Sequence, residues 1–199
     1  MPRRYELRQR AERQDRTRQR IVEAAVALHT SVGPARTTVS AIAERAGVQR
    51  HTFYRHFPDD RSLAMACSGL FSETHPLPDP AGWRTIENGD ARLRHGLSEL
   101  YRYYERNAAQ LAPIVRDAEI DALTREVLGL RVAPTVAEML DVLSSAFGQT
   151  GAAQRRLRGV VGTFLSFTTW RDLRAGMRSH AEAVDAAARA IGAQASSSE

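Results

Sequence analysis

Residues 37–57 constrain this chain most, because their spacing describes two short helices that meet at a tight turn. Thr38 can accept a backbone N–H as an N-cap, and the apolar side chains of Val39, Ile42 and Ala43 then share one helical face. Gly47 can take the left-handed conformation that ends a helix without steric cost. The sequence therefore predicts a helix-turn-helix.

The second of these helices is predicted to start at Gln49, with Phe53 and Phe57 on its buried side, one turn apart. The side chains left on its outer face are Gln49, Arg50, His51, Tyr54 and Arg55. Arg and Gln can bond bidentately to guanine and adenine edges, so this set suits a helix that enters the major groove. The alternative interpretation is an ordinary helical hairpin with a solvated polar face.

The charge of the chain is concentrated at its start. Residues 1–60 contain 12 arginines against 7 acidic residues, whereas residues 61–199 contain 16 of each. A one-sided excess of positive charge is typical of a protein that docks one face on phosphates. Every basic residue is arginine, which either serves bidentate contacts or reflects a GC-rich genome.

Other function classes find little support in the sequence. Cys67 is the single cysteine, so an internal disulfide and a cysteine-rich metal site are excluded. There is no HExxH, no glycine-rich phosphate loop, no apolar signal segment and no membrane-spanning run. We therefore expect a cytoplasmic protein that is not an enzyme and has no metal or cofactor.

The remainder of the chain is predicted to be helical, with no strand. The expected helices cover residues 15–30, 61–73, 90–107, 109–118, 122–130, 135–147, 152–174 and 179–191. Residues 75–82 contain three prolines and one glycine, which excludes a helix there and predicts a seam. Asp59 and Asp60 are expected to supply the N-cap and first-turn charge of the helix that precedes the seam.

The sequence TTVSAIAERAGVQRHTFYRHFPDDRSL, residues 37–63, closely resembles the DNA-binding signature of the tetracycline-repressor (TetR) family. The matching residues are Thr37-Thr38, Ile42-Ala43, Ala46-Gly47-Val48, Thr52, Tyr54, Phe57 and Leu63. Two departures lie at the expected DNA surface: Arg50-His51 replaces small residues, and Asp60 stands where the family commonly has lysine. They affect operator sequence and phosphate contact, not the fold.

The resemblance implies an all-α fold with an N-terminal three-helix DNA-binding domain, which contains the helix-turn-helix, and a C-terminal helical ligand-sensing and dimerisation domain. We expect a basic disordered arm at 1–14, the DNA-binding domain at 15–60, the effector-binding and dimerisation domain at 61–192, and a polar tail at 193–199. In the family, the helix before the seam joins the two domains. The sequence alone does not separate such a joint from a stiff surface loop.

The resemblance also implies a division of roles at the DNA. Ser40, Gln49, Arg50 and His51 are expected to read bases, and Thr38, Tyr54 and His56 to hold phosphates. Thr52 and Arg55 complete the predicted DNA-binding set. The basic arm is expected either to follow phosphates or the minor groove, or to be a solvated tail.

Two further sets of residues are candidates in the C-terminal domain. The predicted ligand-binding residues are His95, Tyr101, Arg102, Tyr104, Phe164 and Phe167, although filling a core is the ordinary role of such aromatics. The predicted dimer interface consists of Gly159, Gly162, Ser166, Thr169, Ala181, Val184, Ala188 and Ile191. The two glycines inside a helix suggest a close neighbour on that face.

Three hypotheses of function follow. The first is a dimeric, ligand-responsive repressor that binds double-stranded operator DNA and leaves it when a small, largely apolar effector binds. The second is a non-specific, nucleoid-type DNA-binding protein. The third, which the sequence favours least, is an all-helical enzyme.

Overall fold

The structure, a computed structural model, describes residues 2–196, with side chains for residues 5–196. The helices are α1 (Pro2–Ser31), α2 (Val39–Ala46), α3 (Arg50–His56), α4 (Asp60–Thr74), α5 (Gly89–Ala118), α6 (Ala122–Arg131), α7 (Ala133–Ser144), α8 (Gly151–Phe164), α9 (Phe167–Ala175) and α10 (His180–Ser196). Short 3-10 helices cover Pro34–Arg36, Pro80–Thr85 and Ser145–Phe147. No strand occurs in this part of the chain, which confirms the all-α expectation. Within the same residues, no helix is both long and apolar enough to cross a bilayer.

The described chain forms two compact units. Unit 1 consists of Met1–Pro76 and Ala109–Arg131, and unit 2 of Leu77–Ala108 and Val132–Glu199. The domain boundary expected at residue 60 separates two functions and differs from the boundary between these two compact units. That expected boundary stays a prediction.

The three N-terminal helices of unit 1 pack around one small apolar core. The core residues of α1 are Ile21, Val22, Ala24 and Ala25, and they pack with Ile42, Ala43, Ala46, Phe53 and Phe57 of the helix-turn-helix and with Leu63 and Cys67 of α4. Burying this apolar surface is the main stabilising contribution, since α2 and α3 have only 8 and 7 residues and would not persist alone.

Two expectations at the chain ends are corrected. The prediction of a disordered arm at residues 1–14 is wrong, because residues 2–14 are helical and form the first part of α1. Local pairs such as Arg8 Nε to Glu12 Oε1, at 2.9 Å, support that exposed extension. At the other end, residues 193–196 of the expected polar tail continue α10, while Met1 and residues 197–199 lie outside the described residues.

The two helices expected at 90–107 and 109–118 are one helix, α5, with Pro113 inside it. A proline removes one hydrogen bond and disfavours a helix by about 3 kcal/mol. Pro113 is itself buried, so the packing around it contributes to offsetting that cost.

The single helix expected at 152–174 is interrupted, because α8 ends at Phe164 and α9 starts at Phe167. The Tyr101 hydroxyl donates to the Phe164 carbonyl at 3.1 Å, and the Tyr104 hydroxyl donates to the Leu165 carbonyl at 2.6 Å. These bonds satisfy carbonyls that a broken helix leaves without partners, which stabilises the break.

Candidate DNA-binding surface

The helix-turn-helix is fixed by caps at both ends of α2. The Thr38 hydroxyl accepts the Ala41 amide N–H at 3.2 Å, and Gly47 ends the helix at φ 63°. The Arg20 guanidinium of α1 donates to the carbonyls of Ala46 and Gly47. Arg20 is therefore committed to holding the end of α2, a role that the sequence did not indicate because the partners lie 26 and 27 residues away.

The α3 helix presents the predicted polar face to solvent. Phe53 and Phe57 are 2% and 1% exposed, whereas Tyr54 is 46% exposed. The other exposed members of the predicted set are Thr38, Ser40, Gln49, Arg50, His51 and Arg55, with Thr52 and His56 half-buried. The predicted inner and outer faces of α3 are confirmed, while the contacts of its side chains with DNA stay a prediction.

Arg50 and Arg55 have no ion-pair or hydrogen-bond partner among the described residues, so both guanidinium groups are free to meet an anion. The neighbouring His51 ring contacts the Thr52 hydroxyl at 3.2 Å, which holds two of the predicted residues together. An exposed arginine pair without acidic partners is the arrangement that base edges and phosphates require.

His56 lies at the inner border of this face. Burial lowers its pKa, and the positive charges of Arg55 and Arg18 lower it further. Its Nε2 atom is buried without a hydrogen-bond partner in residues 2–196. The lowered pKa disfavours the charged imidazolium form of His56.

The corner beside α3 carries an acid, Asp60, where the family that the sequence resembles commonly has lysine. The Asp59 carboxylate accepts the Ser62 N–H at 2.7 Å and is the N-cap of α4, and Asp60 is exposed in the first turn. Both expectations for the start of α4 are confirmed. The next residue, Arg61, donates through its Nε to the Glu126 carboxylate at 2.8 Å.

The predicted ligand-binding residues do not form one group. Tyr101, Tyr104 and Phe167 are buried in unit 2, and Phe164 is half-buried. The other two, His95 and Arg102, are exposed on α5, and His95 lies 3.6 Å from the Glu99 carboxylate. Burial also raises the pKa values of both tyrosines, so their hydroxyls stay protonated and serve as donors to the α8–α9 break.

Beside these aromatics lies a buried hydrogen-bond donor, Trp170, which is not among the ligand-binding residues predicted from the sequence. The Trp170 ring contacts Tyr104 and Phe167, with centroids 5.5 Å apart in each case. Its Nε1 atom is buried and has no hydrogen-bond partner among the described residues. No sequence signal indicates it, because an unsatisfied donor is visible only once its neighbours are placed.

The predicted dimer interface divides into exposed and buried parts. Gly159 is exposed, and a Cβ placed there would meet nothing within 4 Å, whereas one at Gly162 would lie 3.9 Å from Leu140 of the same chain. Ser166 and Thr169 are half-buried and Ala181 is exposed. The expected row on α10 is corrected, because Val184, Ala188 and Ile191 are 7%, 1% and 0% exposed and pack inside their own unit.

Fold and surface together define a class: an all-α protein with a capped helix-turn-helix that presents unpaired arginines. Residues 21–67 match the family described as "Bacterial regulatory proteins, tetR family". The HTH-type transcriptional regulator TtgR of Pseudomonas putida is 41% identical over 69 residues, which are 35% of this chain and 33% of that protein. The chain therefore spans about a third of the length of the curated relatives it matches.

Solved structures match over most of the chain. A TetR-family transcriptional regulator from Mesorhizobium loti covers 93% of this chain and 98% of its own length, with a TM-score of 0.60 and 20% identity. The regulator FadR from Bacillus subtilis, solved with stearoyl-CoA, covers 91% and 99%, with a TM-score of 0.55 and 17% identity. Residues 21–67 are thus similar to the tetR family, and the fold is similar to that of these solved structures.

Proposed function

We propose that this protein is a sequence-specific DNA-binding transcriptional regulator that acts as a dimeric repressor and leaves its operator when a small, largely apolar effector binds. The observation that carries the proposal is the exposed α3 face, where Arg50 and Arg55 have no partner among the described residues. The matched tetR-family segment, residues 21–67, supports it. Base reading by Ser40, Gln49, Arg50 and His51 belongs to the same proposal.

Selection from a pool of random DNA duplexes tests this function. The proposal expects a palindromic consensus, because two DNA-binding domains related by a two-fold axis read an inverted repeat. Retained DNA without a consensus would instead favour a nucleoid-type protein. If no DNA is retained, the proposal is wrong, and turnover assays for an all-helical enzyme would follow.

The proposed dimer uses the exposed small-residue surface of α8. Gly159 is open on that surface, so the helix of a second chain could approach its backbone closely. Light scattering at micromolar concentration, alone and with the selected duplex, should give the mass of two chains. A single-chain mass under both conditions would contradict the dimer.

The proposed effector site is the aromatic cluster around Trp170, because its unsatisfied Nε1 needs an acceptor. A ligand with an apolar body and one acceptor group fits this chemistry. Stearoyl-CoA, which is bound in the FadR structure, is a suitable first probe, with free coenzyme A as the matched control.

We expect stearoyl-CoA to quench tryptophan fluorescence and to displace the protein from its selected duplex. Coenzyme A alone should do neither. The variant Trp170→Phe retains Trp83 and should lose the quenching. Equal quenching in this variant would show that the ligand binds elsewhere.

A further inference from the structure

Unit 1 contains a buried carboxylate that the proposed DNA surface does not use. Asp117, at the end of α5, is 1% exposed. Its Oδ2 atom accepts the Ala35 amide N–H at 2.9 Å, and its Oδ1 atom accepts the Arg116 Nε–H at 2.8 Å. Arg116 also donates to the Val32 carbonyl at 2.8 Å. The two side chains therefore hold the backbone on both sides of Gly33.

The segment that they hold follows α1 and leads directly into α2. Gly33 has φ +100°, and a Cβ there would lie 2.2 Å from the Asp117 carboxylate. The Thr37 hydroxyl donates back to the Gly33 carbonyl at 2.8 Å, and Thr38 then caps α2. The position of this segment thus sets where the helix-turn-helix begins.

Both oxygens of the Asp117 carboxylate are occupied, by a backbone N–H and by a guanidinium. A buried carboxylate is unfavourable unless its hydrogen bonds are satisfied, so this arrangement is specific to one geometry. The Ala35 contact joins residues 82 positions apart in the chain, so it ties to α5 a loop that otherwise has local bonds such as that from Thr37 to Gly33.

We propose that Asp117 and Arg116 are positioning residues for DNA recognition. They hold residues 32–36 in the one conformation that places the N-terminus of α2, and through α2 the reading face of α3, for binding. The proposal rests on the DNA-binding function proposed above. Neither residue contacts DNA in it.

The test compares Asp117→Asn with the wild-type chain. Asparagine has almost the same shape, but its NH2 group replaces one of the two oxygens and therefore faces either the Ala35 N–H or the Arg116 guanidinium, donor against donor. Arg116→Gln is the second variant, because that side chain is partly exposed and its loss leaves the core intact. The matched control is Asp121→Asn, which removes a carboxylate that accepts the Thr124 N–H at 2.7 Å, in the same unit, and whose side chain makes no hydrogen bond to residues 32–36.

Two readouts separate positioning from simple stabilisation. Hydrogen exchange should rise within residues 33–41 in both test variants and not in the control, with the rest of unit 1 unchanged. Affinity for the duplex selected by the wild-type protein should fall about tenfold, while the slope of log affinity against log salt stays the same. Binding to random duplex should not change.

The inference is overturned if either test variant keeps wild-type exchange and affinity, or if exchange rises uniformly through unit 1 with a matching loss of melting temperature. Failure of the wild-type chain to select any sequence would instead overturn the proposed function. The two failures are therefore distinguishable.

Discussion

At the scale of single residues, we expect Arg50 to contribute most to base reading. It is exposed at the first position of α3 and has no partner among the described residues. Arg50→Ala should lower affinity for the selected duplex by about 1 to 3 kcal/mol and relax the preference at one base pair per half-site. Repeating the selection with the variant measures this.

Arg106→Ala is the control for Arg50, since it removes an exposed arginine of unit 2. Its selected consensus should match that of the wild-type protein. An unchanged consensus in Arg50→Ala itself would mean that Arg50 contacts a phosphate, and the assignment would be wrong.

His29 makes stability depend on pH. Burial lowers its pKa, while the negative charge of Asp117 acts in the opposite direction, and its Nδ1 atom lies 3.4 Å from the Cys67 sulfur. A histidine whose pKa is lowered on folding binds protons more readily when unfolded. Its contribution to stability is therefore complete above about pH 6.5, the unfolded value, and declines as the pH falls below it.

We expect the melting temperature of the wild-type chain to fall more steeply between about pH 7 and pH 5 than that of His29→Gln. His51→Gln, at an exposed position, is the matched control and should follow the wild-type curve. Parallel curves for the wild-type chain and His29→Gln would contradict this prediction. Cys67 does not contribute in this range, because burial raises the pKa of its thiol to about 11.

At the scale of elements, the N-terminus of α4 combines a capping function with an expected cost at the DNA. Asp59 is the cap, so Asp60 is free to be changed, and Arg61 is held by Glu126. Asp60→Lys should tighten binding to all duplexes alike and steepen the salt slope by about one unit per DNA-binding domain. It should also lower the melting temperature slightly, because an acid in the first turn is favourable by about 0.3 to 1 kcal/mol.

Titrations at several salt concentrations, on selected and on random duplexes, measure the effect of Asp60→Lys. Glu73→Lys makes the same charge change at the far end of α4 and is the control. A gain confined to the selected duplex, or an unchanged slope in Asp60→Lys, would show that residue 60 does not face phosphates.

The break between α8 and α9 depends on two tyrosine hydroxyls. Tyr104→Phe removes the donor to the Leu165 carbonyl and leaves that buried acceptor without its partner. We expect the free energy of unfolding to fall by about 1 to 3 kcal/mol, measured by urea denaturation. Tyr103→Phe, whose hydroxyl has no hydrogen bond within residues 5–196, should change it by much less, and equal losses would contradict this role.

Local signals in the sequence predicted most of the helices. Thr38, Gly47 and Asp59 act within one turn of the residues they cap, so their roles follow from neighbouring letters. The continuity of α5 through Pro113 depends on packing. The break at Leu165 depends on tyrosine hydroxyl groups that lie 61 and 63 residues away in the chain from the carbonyls they bind. Helical spacing cannot reveal such contacts.

On the scale of the whole molecule, the N-terminal helices were more predictable from the sequence than the remainder. The faces of α2 and α3 follow from apolar spacing and capping, and the charge excess of residues 1–60 indicated an anionic partner. The effector candidates were not resolvable in this way, because an aromatic residue at helical spacing fills a core or lines a cavity with the same pattern. His95 and Arg102 are exposed while Tyr101 and Tyr104 are buried, and only the placed structure separates them.

The central claim is that the exposed face of α3 reads bases in the major groove, and methylation interference tests it most directly. Methylation of guanine N7 blocks an acceptor that arginine uses in that groove. With the selected duplex, we predict interference at guanines in both half-sites, and the loss of interference at one guanine per half-site when Arg50 is alanine. Binding that tolerates N7 methylation throughout the selected site, or the same interference pattern with and without Arg50, would contradict the account.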